Sequence, residues 1–207
     1  MKKLILINGL KRSGKDFTCE KITEYVGAEN VATAVFASPI KEIMADTLGI
    51  TVDNINLYKN ESENYGIKIM AYPENLPEEQ IGEIDFRKIL QVFGTEAMKK
   101  HFGDDVWAKI GVDKVTASKK EWNIIPDFRF VSEFEEAKRQ AELEGYEVIT
   151  ILVKNNDIPD TDLHASERDL KDHKFKFDFT INNTGQPDIS VYVENIIENI
   201  KARFLKI

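Results

Sequence analysis

The chain has 207 residues, with 36 acidic and 28 basic side chains and a formal net charge of −8 at pH 7. That acidic balance excludes general nucleic-acid binding, which needs a basic face to neutralise phosphates. The single cysteine, Cys19, excludes an internal disulfide, so we expect a reducing cytoplasm and a small, buried apolar role for this residue. The first apolar run stops after four residues, far short of a signal-peptide core, and no stretch approaches a membrane span, so no membrane partner is expected.

The first predicted elements are a strand, a glycine-containing loop and a helix. Leu4 to Ile7 is an apolar run typical of a buried strand, and helix-favouring sequence begins at Lys15. Between them, residues 9–15 match the first seven positions of the G-x-x-x-x-G-K-[ST] loop, whose backbone N–H groups cradle phosphates. An ordinary surface turn is the alternative, which the flanking strand and helix disfavour. The predicted phosphate-binding residues are Gly9, Lys11, Arg12, Ser13, Gly14, Lys15, Asp16 and Phe17.

Asp16 departs from the common loop, because it stands where a serine or threonine hydroxyl would bind Mg²⁺. Two roles stay open for its carboxylate. It binds the metal directly or through water, since oxygen is the ligand type that magnesium prefers, or it offsets the helix dipole in the first turn. Thr18 follows two residues later, but a helix turns about 100° per residue, so its hydroxyl is expected to point elsewhere.

Helices and strands alternate after the loop. Ser38 is expected to cap the second helix, with Pro39 in its first turn and Gly49 at its end. Residues 50–84 lose periodicity and contain two prolines, which predicts a variable excursion with at most a short helix. The predicted elements are helices over 15–26 and 38–48 and a strand over 31–37.

A long amphipathic helix is predicted over 85–102. Arg87, Gln91 and Thr95 recur at four-residue spacing and share a polar face, which is either a ligand-binding face or a solvated face with a kink. Gly94 beside them costs about 1 kcal/mol relative to alanine, and close approach by a ligand would offset that cost. The buried stripe is predicted to comprise Phe86, Ile89, Leu90, Phe93, Ala97 and Met98.

The next helix, predicted over 105–118, carries Trp107, which is either a core residue or a platform for a base. Residues 122–126 then form an apolar run that predicts a buried strand ending at Asp127. In parallel sheets, ligands gather at the carboxyl ends of strands. Asp127 is therefore a candidate acidic group near a nucleotide-bound metal, and Arg129 a candidate phosphate ligand, with a turn aspartate and a surface arginine as the alternative.

The last part of the chain is predicted to add a helix over 132–144, strands over 147–153 and 177–181, and a closing helix over 187–205. A polar excursion over 154–174 contains Arg168, one of only 6 arginines in the chain. Arginine offers a planar fork that matches phosphate oxygens. Four arginines stand at positions suited to phosphate chemistry, namely Arg12, Arg87, Arg129 and Arg168.

Six segments resemble the deoxynucleoside monophosphate kinases of tailed phages, in the same order and over most of the chain. They are GLKRSGKD, SPIKE, LQVFGTEAMKKHF with Trp107 after it, IIPDFR, HASERDL and DFTINNTG. The resemblance is weakest between residues 50 and 84. Animal-type phosphomevalonate kinases share the loop ending and an Asp-x-Arg strand end, so they are the alternative, and LQVFGTEA favours the nucleotide enzymes.

The resemblance implies an α/β fold of the P-loop NTPase type, a three-layer sandwich with a five-stranded parallel sheet flanked by helices. It implies one kinase domain over 1–207, with a nucleoside-monophosphate-side excursion over 50–84 and a lid-like excursion over 154–174. The implied reaction moves the γ-phosphoryl group of ATP to a dNMP, giving dNDP for DNA synthesis in the host cytoplasm. Positioning and charge stabilisation suffice for such a transfer.

The resemblance also implies a division of labour among the site residues. Lys15 and the loop amides would hold the donor phosphates, with Mg²⁺ near Asp16 and Asp127. Arg168 would belong to the lid. Asn182 and Gly185 would mark a segment passing along the donor adenine. The residues implied for the acceptor are Lys41, Arg87 and Arg129 for its phosphate and Gln91, Thr95 and Trp107 for its sugar or base.

Other functions of a phosphate loop stay in view. A GTP-dependent switch needs a base-reading Asn-Lys-x-Asp segment, which the sequence lacks. A nucleotide-binding regulator without catalysis remains an alternative. The sequence leaves open which dNMP is accepted and what the oligomeric state is, a homodimer included.

Overall fold

The computed structural model describes residues 2–10, 12–60, 86–155, 157, 165–184 and 188–204. The chain divides into two compact units. The sheet unit comprises Met1–Phe36 and Trp107–Ile207, and the helical unit comprises Ala37–Val106.

Five parallel strands form the sheet unit, in the order β2-β3-β1-β4-β5. The expected five-stranded parallel sheet is therefore confirmed. Helices flank it, and the central strands β1 and β3 are buried along most of their length, as the strands of a parallel sheet usually are. The strands are β1 Lys2–Asn8, β2 Val31–Thr33, β3 Trp122–Ile125, β4 Tyr146–Lys154 and β5 Phe179–Asn182. The helices of this unit are α1 Lys15–Val26, α6 Val106–Thr116, α7 Val131–Leu143, α8 Ala165–Asp172 and α9 Ile189–Phe204.

Strand β1 lies at the centre of the sheet, between β3 and β4. Successive side chains of a strand point to opposite faces. Ile5 and Ile7 pack into the main core, which also contains Cys19 and Ile22 of α1 and much of α9. Leu4 and Leu6 alternate with them and are equally buried. The burial of Cys19 confirms its predicted role.

The register of the strands brings their carboxyl ends to one edge. Leu6 of β1 pairs with Ile125 of β3, Asn8 with Leu152 of β4, and Lys154 in turn with Asn182 of β5. The segments that follow these strands therefore begin at the same edge of the sheet, which is where the candidate site is built.

The bounds of strands β2 and β5 differ from the predicted ones. Strand β2 ends at Thr33 instead of residue 37, because the backbone N–H of Phe36 donates to the Asp127 carboxylate at 2.7 Å and not to a neighbouring strand. Strand β5 begins at Phe179 instead of residue 177. Phe177 packs instead in an aromatic cluster with Phe128, Phe134 and Phe175.

The helical unit is built from α2 Ser38–Leu48, α3 Val52–Asn60, α4 Phe86–Gln91, a π-helical segment Val92–Lys99 and α5 Lys100–Phe102. Pro39 lies in the first turn of α2 and Gly49 ends it with φ 64°, as predicted. The predicted Ser38 cap is wrong, since Ala37 occupies the N-cap position and no side chain caps the helix. Met44, Ala45 and Ile55 form the small core of this unit.

The helix predicted over 85–102 is not regular. Between Val92 and Lys99 it widens into i→i+5 turns, which rotate each later side chain away from its α-helical position. Ile89, Leu90 and Phe93 contact the core of the helical unit as predicted. Ala97 is exposed, so its predicted place in the buried stripe is wrong, and Gly94 is buried.

The predicted excursions contain two of the described helices. Helix α3 lies in the 50–84 excursion, and residues 61–85 lie outside the described part of the chain. Helix α8 lies in the 154–174 excursion. Among the described residues, no helix combines the length and the apolar character that crossing a membrane requires.

Removing a side chain from the centre of β1 should destabilise the fold far more than removing the same side chain from the surface. Leu4 is 0% exposed and Leu143 is 77% exposed. Leu4→Ala should cost about 2–5 kcal/mol of unfolding free energy through lost burial and a cavity. Leu143→Ala, the matched control, should stay within about 0.5 kcal/mol. Urea denaturation measures both, and equal losses would contradict the assigned burial of β1.

Candidate active site

The loop between β1 and α1 contains two residues with a left-handed backbone conformation. Gly14 has φ 101°, a left-handed geometry that favours glycine, and Arg12 also has a positive φ of 66°. Gly9 is needed for a different reason. A Cβ on Gly9 would collide with the Ser13 hydroxyl and lie 2.6 Å from the carbonyl oxygen of Val153 on β4. The loop is therefore packed tightly onto the end of the central strands.

The groups that this loop presents suit a polyphosphate. Helix α1 begins directly behind the loop at Lys15, and the N–H groups of a first helical turn have no acceptor within the helix. The buried Ser13 hydroxyl makes no hydrogen bond within the described part of the chain. Thr18 Oγ1 donates to Gly14 O at 2.9 Å, a bond to the backbone one turn earlier. Lys11 lies outside the described residues.

Four charged side chains, from two distant parts of the sequence, interact at this edge. Burial lowers the pKa of Lys15 from its ordinary value, because it disfavours the charged form of the amine. Asp16 raises that pKa, Arg129 lowers it and Asp127 raises it, in decreasing order of effect. The structure therefore brings together the predicted loop lysine, both predicted metal carboxylates and the predicted phosphate-binding arginine.

The segment after β3 is fixed by hydrogen bonds from two other elements. One oxygen of the Asp127 carboxylate accepts from the backbone N–H of Phe36 at 2.7 Å. Asn8, the last residue of β1, donates from Nδ2 to Phe128 O at 2.7 Å. Asn8 therefore ties the start of the phosphate loop to the turn that carries Asp127. Sequence analysis missed this role of Asn8, since the two partners are 120 positions apart.

Glu133 fixes the backbone of the same segment from the side of α7. Its Oε2 accepts from the backbone N–H of Arg129 at 2.8 Å and from that of Phe130 at 3.1 Å. The buried carboxylate thus caps α7 and orients the residue that carries the candidate guanidinium. Sequence analysis missed Glu133. An acidic residue at the third position of a helix, which is a capping signal, could have indicated it.

The segment after β5 also contacts the loop. Asn183 donates from Nδ2 to Ser13 O at 2.8 Å, and its backbone N–H donates to Lys154 O at 2.7 Å. Asn182, a predicted adenine neighbour, is exposed at the end of β5, and Gly185 lies outside the described residues. The contact to the phosphate loop is therefore made by Asn183, which sequence analysis did not select as a site residue.

The donor set around Lys15 fits a magnesium ion bound together with phosphates. Mg²⁺ in nucleotide enzymes is held by one or two carboxylates, and phosphate oxygens and water complete its octahedron. Asp16 is exposed in the first turn of α1, and Asp127 is half-buried. No group of three or more His, Cys, Asp or Glu side chains is suited to a metal among the described residues. Two carboxylates beside a phosphate loop match the magnesium pattern and not that of an all-protein cage.

The predicted acceptor residues other than Trp107 and Arg129 lie in the helical unit. Lys41 on α2 donates from Nζ to Asn56 Oδ1 on α3 at 2.7 Å, a partner that sequence analysis missed. Gln91 is half-buried at the end of α4, and Thr95 is exposed in the π-helical segment. The wider turns begin directly after Gln91, so the four-residue alignment with Thr95 is broken. Arg87 lies on α4, and its side chain is outside the described part of the structure.

The remaining predicted residues differ in how far their side chains are exposed. Trp107 is 2% exposed, which agrees with the core alternative, because a stacking platform needs an uncovered ring face. Arg168 is exposed on α8 and pairs with Asp172 at 3.1 Å. Phe17 is exposed in the first turn of α1, and Arg12 is exposed in the loop.

Solved structures resemble the whole chain only distantly. A cysteine-to-alanine mutant of the APS kinase CysC of Mycobacterium tuberculosis is 10% identical, with 97% of each chain covered and a TM-score of 0.41. A protein of Chloroflexus aurantiacus assigned as a kinase is 10% identical, with 97% of each chain covered and a TM-score of 0.48. The M. tuberculosis enzyme in complex with AMPPNP and APS is 10% identical, covers 97% of this chain and 98% of its own, and has a TM-score of 0.41. Similarity at this level carries no functional argument.

A family model gives a stronger result, although no curated protein matches the chain. The model of the deoxynucleotide monophosphate kinase family matches residues 67–191, which is more than half of the chain. The matched region contains Asp127, Arg129 and Arg168 and begins well after the phosphate loop. The loop geometry is therefore independent of the match. On the strength of that match, the chain belongs to the deoxynucleotide monophosphate kinase family.

Proposed function

We propose that the chain transfers the γ-phosphoryl group of ATP to a deoxynucleoside monophosphate, giving a deoxynucleoside diphosphate and ADP. The observation that carries this proposal is the cluster of Lys15, Asp16, Asp127 and Arg129 at the phosphate loop. Phosphoryl transfer is driven almost entirely by positioning and by electrostatic stabilisation of the moving group. A loop, a lysine, an arginine and two carboxylates are the parts that such a reaction requires. Deoxynucleoside diphosphates would then supply DNA synthesis.

Lys15 has the central role in this proposal. Its half-buried amine is held between carboxylates that favour its charged form and an arginine that opposes it. A polyphosphate bound in the loop adds negative charge, which further favours the charged lysine. Lys15 would bind the outer phosphates of ATP, and charge on the γ-phosphoryl oxygens would strengthen that contact as transfer proceeds.

Arg129 and the two carboxylates would act on the same phosphates. Arg129 offers a planar fork, and the Glu133 carboxylate fixes the backbone N–H of this residue. Asp16 and Asp127 would hold Mg²⁺, which, when bound, neutralises charge on the phosphate oxygens. Asp127 is oriented for this by the hydrogen bond from Phe36.

The acceptor would be recognised by residues of the helical unit. Lys41 and Arg87 would bind its phosphate, and Gln91 and Thr95 its sugar or base. Lys41 is already oriented by Asn56 on α3, which holds the amine at 2.7 Å. Arg168 on α8 would act as a lid residue. Its partner Asp172 lies one helical turn away, and an exposed pair of this type exchanges easily for a phosphate.

An acceptor panel tests the proposed function. Purified chain, ATP and Mg²⁺ are combined with each of several dNMPs, the matching ribonucleotides and phosphomevalonate, and ADP release is measured. We expect ADP release to depend on one or more dNMPs. Turnover with phosphomevalonate alone would assign the other acceptor class, and ATP binding without turnover on any acceptor would indicate a regulator.

Removal of the Lys15 amine should abolish most of the catalysis. Lys15→Ala should lower kcat by at least about 100-fold, a loss of roughly 2.7 kcal/mol of transition-state stabilisation. Lys138→Ala on α7 is the control, because that lysine is exposed and its contacts, a surface pair with Glu142 and the Phe134 ring, belong to α7. Steady-state kinetics measure both variants. A Lys15→Ala enzyme with near-parental kcat would refute the loop assignment.

Asp16 can be assigned to the metal or to the helix dipole by a magnesium titration. If its carboxylate holds Mg²⁺, Asp16→Asn should lower activity, and rising magnesium concentration should partly restore it. Asp16→Ser, which recreates the common loop, should retain activity. If Asp16 only offsets the helix dipole, Asp16→Asn should lower the free energy of unfolding by a few tenths to about 1 kcal/mol. A titration that overlays the parental curve at undiminished kcat would exclude the metal role.

A further inference from the structure

Asn183, the first residue beyond β5, forms a hydrogen bond with the phosphate loop. Its Nδ2 donates to the carbonyl oxygen of Ser13 at 2.8 Å. Its own position is fixed from behind, because its backbone N–H donates to Lys154 O at the end of β4 at 2.7 Å. The side chain is half-buried. Asn183 therefore connects the loop to the ends of strands β4 and β5.

The approach of Asn183 to the loop is close enough to depend on Gly14. A Cβ on Gly14 would lie 2.7 Å from Asn183 Nδ2 and 3.0 Å from a methyl carbon of Ile189. Gly14 also has a φ of 101°, which disfavours any other residue. The second glycine of the loop thus serves the contact with Asn183 as well as the loop conformation.

The hydrogen bond controls the direction of a whole peptide group. The Ser13–Gly14 peptide is planar and trans, so its C=O and N–H point in opposite directions. Asn183 holds the Ser13 carbonyl against the β5 side of the loop. The Gly14 N–H must then point to the opposite side. If this peptide flipped, a carbonyl oxygen would replace an N–H donor and would repel a bound phosphate.

We propose that Asn183 is a positioning residue that sets the Ser13–Gly14 peptide for phosphate binding. This inference rests on the proposed function, in which the loop binds the phosphates of ATP. It differs from the expectation that the segment after β5 serves the adenine, because the contact of Asn183 is with the loop backbone. Loss of this contact should therefore weaken binding of the ligand's phosphates and leave recognition of its base unchanged.

The substitution Asn183→Asp tests this directly. Aspartate has the same shape, but an ionised carboxylate cannot donate and repels the Ser13 carbonyl. Asn183→Ala removes the donor without adding charge, and it keeps the test informative if the aspartate variant does not fold. Asn199→Asp on α9 is the matched control, since Asn199 Nδ2 also donates to a backbone carbonyl, that of Asn195, at 2.8 Å.

Calorimetric titration of each folded protein with ATP, GTP and inorganic tripolyphosphate gives the readout. We expect each Asn183 variant to bind ATP at least about tenfold more weakly than the parent does. In a given variant, tripolyphosphate binding should weaken by the same factor as ATP binding. The ratio of ATP to GTP affinity should be unchanged. The Asn199→Asp protein should bind as the parent does. A loss confined to ATP, or no loss at all, would overturn the inference. A parental protein that binds neither ATP nor tripolyphosphate would instead refute the proposed function.

Discussion

Burial of β1 on both faces is the constraint on which the candidate site depends. The strand lies between β3 and β4, and its four apolar residues are fully covered, so neither its register nor its direction can change without exposing them. The phosphate loop leaves the end of this strand. Its starting point is therefore fixed at the middle of the carboxyl edge, between the segments that carry Asp127 and Asn183.

Near the start of the loop, side chains form hydrogen bonds with backbone groups that are not paired within the sheet or the helices. Asn8 and Glu133 bind the turn after β3, and Asn183 binds the loop itself. Each of these bonds spans two elements, so the loop and the Asp127–Arg129 turn form one connected network. Such preorganisation matters for phosphoryl transfer, because donors that are already oriented need no rearrangement when charge develops on the moving group. Next to this network, partial burial of the Lys15 amine lowers its pKa.

The sequence predicted those parts of the molecule that depend on local pattern. The loop spacing, the helix from Lys15 to Val26 and the five strands follow from glycines and apolar runs, and the family resemblance implied that the sheet is parallel. Asp127 and Arg129 could be selected because ligands bind at the carboxyl ends of the strands of a parallel sheet. Both residues interact electrostatically with Lys15, and the function of each stays a prediction.

Local pattern could not predict contacts between a side chain and a distant backbone group. Asn183 reaches Ser13 across 170 positions, and nothing in the residues near either partner encodes that hydrogen bond. The π-helical segment was missed for a related reason. Its sequence has the apolar spacing of an α-helix, which gives no signal of the wider turns that leave Ala97 exposed. Strand β2 is shorter than predicted, and beyond its end the backbone N–H of Phe36 donates to the carboxylate of Asp127, 91 positions away.

Isotope transfer tests the central claim most directly. The chain is incubated with Mg²⁺, ATP labelled at the γ-phosphorus and the dNMP that it turns over, and the products are separated. If the chain is a deoxynucleoside monophosphate kinase, the label moves to the β-position of a deoxynucleoside diphosphate, with one ADP formed for each labelled product. Label recovered only as inorganic phosphate would mean hydrolysis without transfer and would contradict the proposed function.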